Sequence, residues 1–143
     1  MKWLFLFSFL SLLSCADKNE ILEILLSKKL VEPQEKNLNL VLVSESDCAS
    51  CTALLVRDLT KLFNQSNALK TKGIFFYYAP GKLKNAQGME KLNILKKEIP
   101  HLEWKITADN DLFILASKQT NSFKGPYKIL IREGKIQEVS LLK

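Results

Sequence analysis

The chain has 143 residues, 47% of them hydrophobic, with 21 basic and 15 acidic side chains and a formal net charge of +6. That length gives one domain of ordinary size with a single core. The basic residues are scattered in small groups (Lys28-Lys29, Lys82 with Lys84, Lys96-Lys97) with no dense Lys/Arg run, which argues against a nucleic-acid partner; there is no internal repeat and no low-complexity tract.

The first element is an apolar run, Trp3 to Leu13, broken only by two serines and preceded by Lys2. A hydrocarbon core needs about 20 apolar residues to span, so the run is too short to cross a membrane. Its length suits the h-region of a secretory signal, roughly 7–15 residues. It ends in Leu12-Leu13-Ser14-Cys15, and a polar stretch from Ala16 follows. This resembles the lipobox of bacterial lipoproteins. The resemblance implies that residues 1–14 are a cleaved signal peptide and that Cys15 carries a diacylglycerol on its sulfur. The mature chain then sits in the bacterial cell envelope, anchored through Cys15 to a lipid bilayer outside the cytosol, on a periplasmic or surface face. An odd thiol in an exported protein calls for an explanation. Lipidation of Cys15 supplies one and leaves Cys48 and Cys51 as a pair.

In the mature chain, Asp17 to Leu30 reads as a helix with Ile21, Leu22, Leu25, Leu26 and Leu30 at helical spacing. Val31 to Lys36 is a breaker and loop. Asn39 to Ser44 reads as a buried strand, and Ser46 to Cys51 as the turn into a second helix running to about Phe63. That helix places Cys51, Leu55, Leu59, Leu62 and Phe63 on one face. Gly73 to Tyr78 is an aromatic strand closed by Ala79-Pro80-Gly81, and Lys82 to Gly88 reads as a polar loop. A third helix covers Met89 to Ile99, stopped by Pro100, and a strand covers Trp104 to Thr107. Asp109 to Ser117 reads as a short helix and Lys118 to Lys124 as irregular. Pro126 to Arg132 and Ile136 to Leu142 form a hairpin across Glu133-Gly134-Lys135. Strands alternating with helices point to an α/β fold whose parallel strands are covered by helices, with the hairpin as an antiparallel edge. Arg57 and Asp58 read as solvent-facing, and Trp104 as core or a partly buried strand residue.

Cys48-Ala49-Ser50-Cys51 is a CxxC set after a strand and at a helix start. Unpaired N–H groups and the macrodipole at a helix N-terminus favour an anion, so a thiolate at Cys48 has a lowered pKa and becomes a better nucleophile. Cys51 lies one turn along and can resolve a mixed disulfide. Two other readings of the pair are an inert structural disulfide and half of a metal site. Zinc needs about four ligands, and the one histidine, His101, is far away in sequence.

The strand–CxxC–helix unit from Leu40 to Phe63, together with Gly125-Pro126-Tyr127-Lys128-Ile129-Leu130-Ile131-Arg132-Glu133-Gly134-Lys135-Ile136, resembles the thioredoxin-like superfamily. The resemblance implies a three-layer sandwich over 39–143, with a mixed central sheet and a C-terminal antiparallel hairpin. Residues 15–38 are then the lipidated N-terminus, first helix and linker. It also implies that Pro126 is a cis-proline lying against the CxxC, with Gly125 and Pro126 holding substrate backbone. The chain departs from the family pattern at several places: Asp47 stands where a Trp usually precedes the first cysteine, Leu42 where a buried acid lies, and Gly125 where a Thr or Val precedes the proline; Ala49-Ser50 matches neither the typical reductant nor the typical oxidant, and no helix is expected after Leu142, where the family has its last one.

The function expected on this basis is a membrane-anchored thiol–disulfide oxidoreductase with no cofactor, acting as a monomer. Its partners are exported or envelope proteins with thiols or disulfides and a redox donor protein. The alternatives are a lipid-anchored binding or assembly module with an inert CxxC, and a thiol metal chaperone.

Overall fold

The structure is a computed structural model and describes residues 17–47, 52–65, 69–77 and 82–142. Residues 1–16, where a signal peptide and a lipidated Cys15 are expected, lie outside the described residues, as do Cys48 to Cys51 and residues 78–81.

Five strands form one mixed sheet: β1 (Leu38–Ser44), β2 (Lys70–Phe76), β3 (Glu103–Thr107), β4 (Tyr127–Arg132) and β5 (Lys135–Leu141), in the order β3-β2-β1-β4-β5. β1 pairs in parallel with β2, and β2 with β3; β4 runs antiparallel to both β1 and β5. The described helices are α1 (17–27), α2 (Thr52–Gln65), α3 (Lys82–Glu98) and α4 (Asn110–Thr120). Two separate cores show how they are layered. Ile21 and Leu25 of α1 and Leu112, Phe113, Leu115 and Ala116 of α4 pack on Leu38, Leu40 and Leu42 of β1. Leu55 and Leu59 of α2 and Leu92 and Leu95 of α3 pack on Val41 and Val43, which alternate onto the opposite face. Helices therefore cover both faces of the sheet, which is why β1 and the end of β2 read as continuous apolar runs.

Several element boundaries differ from those read in the sequence. α1 ends at residue 27, because Lys29 takes a left-handed conformation (φ 54°) and the Lys29 and Leu30 N–H groups turn back to the Leu26 and Leu25 carbonyls. This is a Schellman closure, and it still buries Leu30 and Val31. The stretch from Lys82 to Gly88, expected as a loop, is the first part of α3. Its lysines, Leu, Ala and Gln are good helix formers, so polarity was a poor guide there. α4 runs to Thr120, three residues beyond the expected end. Asp109 caps its start by accepting from the Asp111 N–H, and Asn121 ends it at φ 52°. β2 begins at Lys70 rather than Gly73. Phe63 does not share the buried face of α2; it is 38% exposed and stacks on His101. The β4–β5 turn falls where it was expected, with Glu133 and Gly134 both at positive φ, as a two-residue hairpin turn of the primed type requires.

The early start of β2 has a physical reason. Lys72 is almost fully buried, and its ammonium meets the Glu35 carboxylate at 2.6 Å, with Glu103 at 3.5 Å. Lys70 adds a second contact to Glu35 at 2.9 Å. A buried ammonium is tolerated only when paired. Burial pushes the Glu35 carboxyl up, but the Glu32 N–H and the Lys72 and Lys70 ammoniums outweigh it and bring it down from 4.5 to about 2. A depressed carboxyl contributes stability that is present above its unfolded value and lost as pH falls through its folded value. Acid titration should therefore erode stability between about pH 5 and pH 2. Glu35→Gln should remove that part of the pH dependence and lower stability by about 2 kcal/mol, read from urea unfolding at pH 7, since it leaves the buried Lys72 ammonium with Glu103 as its remaining carboxylate.

Candidate functional site

β1 delivers the chain to the carboxyl end of the parallel strands, the end at which open α/β sheets bind ligands. Beyond β1 the Glu45 N–H donates to the Phe76 carbonyl (3.0 Å), extending the β1–β2 ladder by one bond. The chain then reverses in a tight turn from Ser44 to Asp47. The Asp47 N–H donates to the Ser44 carbonyl (3.1 Å), and the Ser44 N–H donates to Asp47 Oδ2 (2.8 Å). Ser46 N–H adds a bond to Ser44 Oγ at 3.2 Å. Cys48 follows Asp47 directly in sequence.

A buried lysine on α3 reinforces this turn. Lys91 is 6% exposed, and its ammonium donates to the carbonyls of both Ser44 (3.2 Å) and Asp47. Gly88, one turn earlier on α3, allows the approach. A Cβ there would fall 2.7 Å from Glu45 Oε2 and 3.2 Å from the Tyr77 ring. Burial pushes the Asp47 carboxyl above its usual value; the Ser44 N–H and the Lys91 charge oppose this only in part.

Opposite the turn lies the 121–126 loop. The Gly125–Pro126 peptide bond is cis, in line with the expectation carried by the resemblance. The Pro126 carbonyl accepts from the Leu142 N–H (2.9 Å), and the Tyr127 hydroxyl donates to the Ser122 carbonyl (2.8 Å). These two bonds tie the loop to β5 and to the start of β4. Burial, and then the Asp47 charge, push the Tyr127 hydroxyl above its usual pKa. Gly125 has the Tyr127 ring 3.1 Å from where a Cβ would stand, so the missing side chain there leaves room for that ring.

Two adjoining cavities separate the turn from the loop, and both are lined by Ser46, Asp47, Phe123 and Gly125. One, about 590 Å³, extends over Pro126 to Leu54, Leu55 and Asp58 of α2, with Lys91 in its wall. The other, about 200 Å³, runs toward Phe76 and Phe113 between β2 and α4. Phe123 stands between them with 97% of its surface exposed. A cavity of about 610 Å³ between α2 and β5 shares Asp58 and Leu142 with this groove, and its wall includes the Lys128–Glu138 ion pair.

Of the residues singled out in the sequence, Gly125 and Pro126 thus line one groove with Asp47, the residue before Cys48. Leu42, at the position of the resembled family's buried acid, is fully buried in the apolar core beneath. Asp58, expected to face solvent, turns toward the groove with only 17% of its side chain exposed, while Arg57 is exposed and pairs with it at 2.9 Å. Lys91, Phe123 and Tyr127 line the site without standing out in the sequence as site residues. Lys91 does leave a signal: Lys91, Leu95 and Ile99 recur every four residues, which puts the lysine on the apolar stripe of α3. Nothing in the sequence around Phe123 distinguishes it from any loop aromatic. Among the described residues, no helix is long and apolar enough to cross a membrane. No family model, no curated protein and no solved structure matches the chain.

Proposed function

We propose that this protein is an exported, lipid-anchored thiol–disulfide oxidoreductase of the thioredoxin-like kind, working through Cys48 and Cys51. The observation that carries the reading is the groove in which the turn leading into Cys48 faces the Gly125–Pro126 loop. The α/β architecture supports it, with a mixed sheet covered on both faces and the CxxC between β1 and α2. The Cys48 thiolate attacks one sulfur of a substrate disulfide, forming a mixed disulfide and releasing the other sulfur as a thiolate. Cys51 then attacks the Cys48 sulfur, releasing the second substrate thiolate and closing the Cys48–Cys51 bond. The substrate gains two electrons, and a donor dithiol protein restores the reduced pair. The reverse sequence oxidises a substrate dithiol. Attachment through Cys15 keeps the pair outside the cytosol, where a disulfide persists.

Leu42 and Asp47 favour a second reading, a lipid-anchored binding or assembly module. One position lacks the acid that assists proton transfer, and the other sets a carboxylate beside the thiol. Two measurements on the full-length chain in membranes separate the readings. In the oxidoreductase, Cys51→Ser accumulates mixed disulfides with envelope proteins, and Cys48 alkylates about tenfold faster than an ordinary thiol at neutral pH. A Cys48 that alkylates at the ordinary rate and traps nothing excludes the enzyme and leaves the binding module. The anchor is tested independently: Cys15→Ser should abolish labelling by a fatty-acid analogue and release the chain from membranes. Retained labelling would contradict the lipid assignment.

A further inference from the structure

We propose that Lys91 is the positioning residue of this site: its buried ammonium fixes the turn that presents Cys48 and supplies the positive charge that favours the Cys48 thiolate. The inference rests on the oxidoreductase reading and deepens it. A lysine side chain is costly to bury, and few sites place one against main-chain carbonyls. Here both carbonyls belong to one four-residue turn, at its first and last positions. The ammonium therefore locks the turn across its full length. The Asp47 carbonyl belongs to the peptide group that joins Asp47 to Cys48, and consecutive Cα atoms stand about 3.8 Å apart. The ammonium is thereby bonded to the peptide group that precedes Cys48 in sequence. Lys91 also forms part of the wall of the cavity that reaches Pro126, in a partly dry setting where a charge acts more strongly than in water.

Other charges face the same turn. Asp47 and Glu45 come from the turn itself, Asp58 from α2, Lys124 from the 121–126 loop, and the Tyr127 hydroxyl from β4. The carboxylates disfavour a thiolate, as Asp47 does from the adjoining position. Lys91 is the buried cation that opposes them. The groove can in this way hold an aspartate beside the nucleophile without extinguishing it.

The test is the pH dependence of Cys48 alkylation in the full-length protein, compared with Lys91→Met and Lys91→Arg. Lys91→Met should raise the apparent Cys48 pKa by about one unit, which slows alkylation about tenfold on the acid limb, and Lys91→Arg should restore most of the wild-type profile. A folded Lys91→Met protein with an unchanged profile would overturn the inference. Should that variant fail to fold, the wild-type protein answers the question. The Nζ resonance of Lys91 should shift with a midpoint at the Cys48 pKa, and the step should vanish in Cys48→Ser; a Lys91 signal indifferent to Cys48 would overturn the proposal. The shift between wild type and variant is read whatever the absolute pKa. An ordinary thiol that traps nothing defeats the oxidoreductase reading, and an activated thiol indifferent to Lys91 defeats only this one.

Discussion

Leu38 to Val43 of β1 are all buried, and their side chains alternate between two cores that do not touch. Leu38, Leu40 and Leu42 require cover on one face, and Val41 and Val43 require it on the other. A fully buried aliphatic side chain is worth roughly 2 kcal/mol of transfer free energy, so neither face can be left wet. The chain meets the demand with α1 and α4 on one side and α2 and α3 on the other. A one-residue slip of β1 against β2 or β4 would exchange the two apolar sets, so the register is strongly fixed. Because the register is fixed, so is the point at which β1 ends, and with it the start of the turn that leads to Cys48.

The two ends of the sheet handle charge differently. At the amino ends of the parallel strands, Glu35, Lys70, Lys72 and Glu103 form a paired network around one buried ammonium. At the carboxyl ends, Lys91 is buried against carbonyls and a carboxylate with a raised pKa. The first arrangement satisfies its charges and binds the 28–37 segment to the sheet. The second leaves a carboxylate and an ammonium in the wall of an open groove, at the end of the turn that precedes Cys48 in sequence. A carboxyl raised by burial in a cleft marks a candidate site.

Much of the architecture was legible because it rests on periodicity. The apolar run from Leu40 to Val43 and the alternation in Tyr127, Ile129 and Ile131 state their own burial, and Glu133-Gly134 states its turn. The start of α3 was not legible, since Lys82 to Gly88 is mostly polar with no apolar period and only intrinsic propensity speaks for a helix. The early start of β2 was hidden for a different reason. Lys70 and Lys72 look like solvated residues until Glu35, distant in sequence, is brought over Lys72. The candidate site was half legible. The CxxC and Gly125-Pro126 stand out as local motifs, whereas Lys91 and Asp58 acquire meaning only when α3 and α2 pack beside the turn. Residues that act through tertiary contact leave no local pattern beyond their place on a helical stripe.

The central claim is that the Cys48/Cys51 pair, the Asp47 turn held by Lys91 and the Gly125–Pro126 loop form one site. Backbone amide NMR spectra of the reduced and oxidised protein test it most directly. The account expects the shift changes to cluster at Asp47, Lys91 and residues 122–127, with Glu35, Lys72 and Glu103 at the far end of the sheet unmoved. Oxidation of a folded protein that leaves residues 122–127 and Lys91 unperturbed would contradict it.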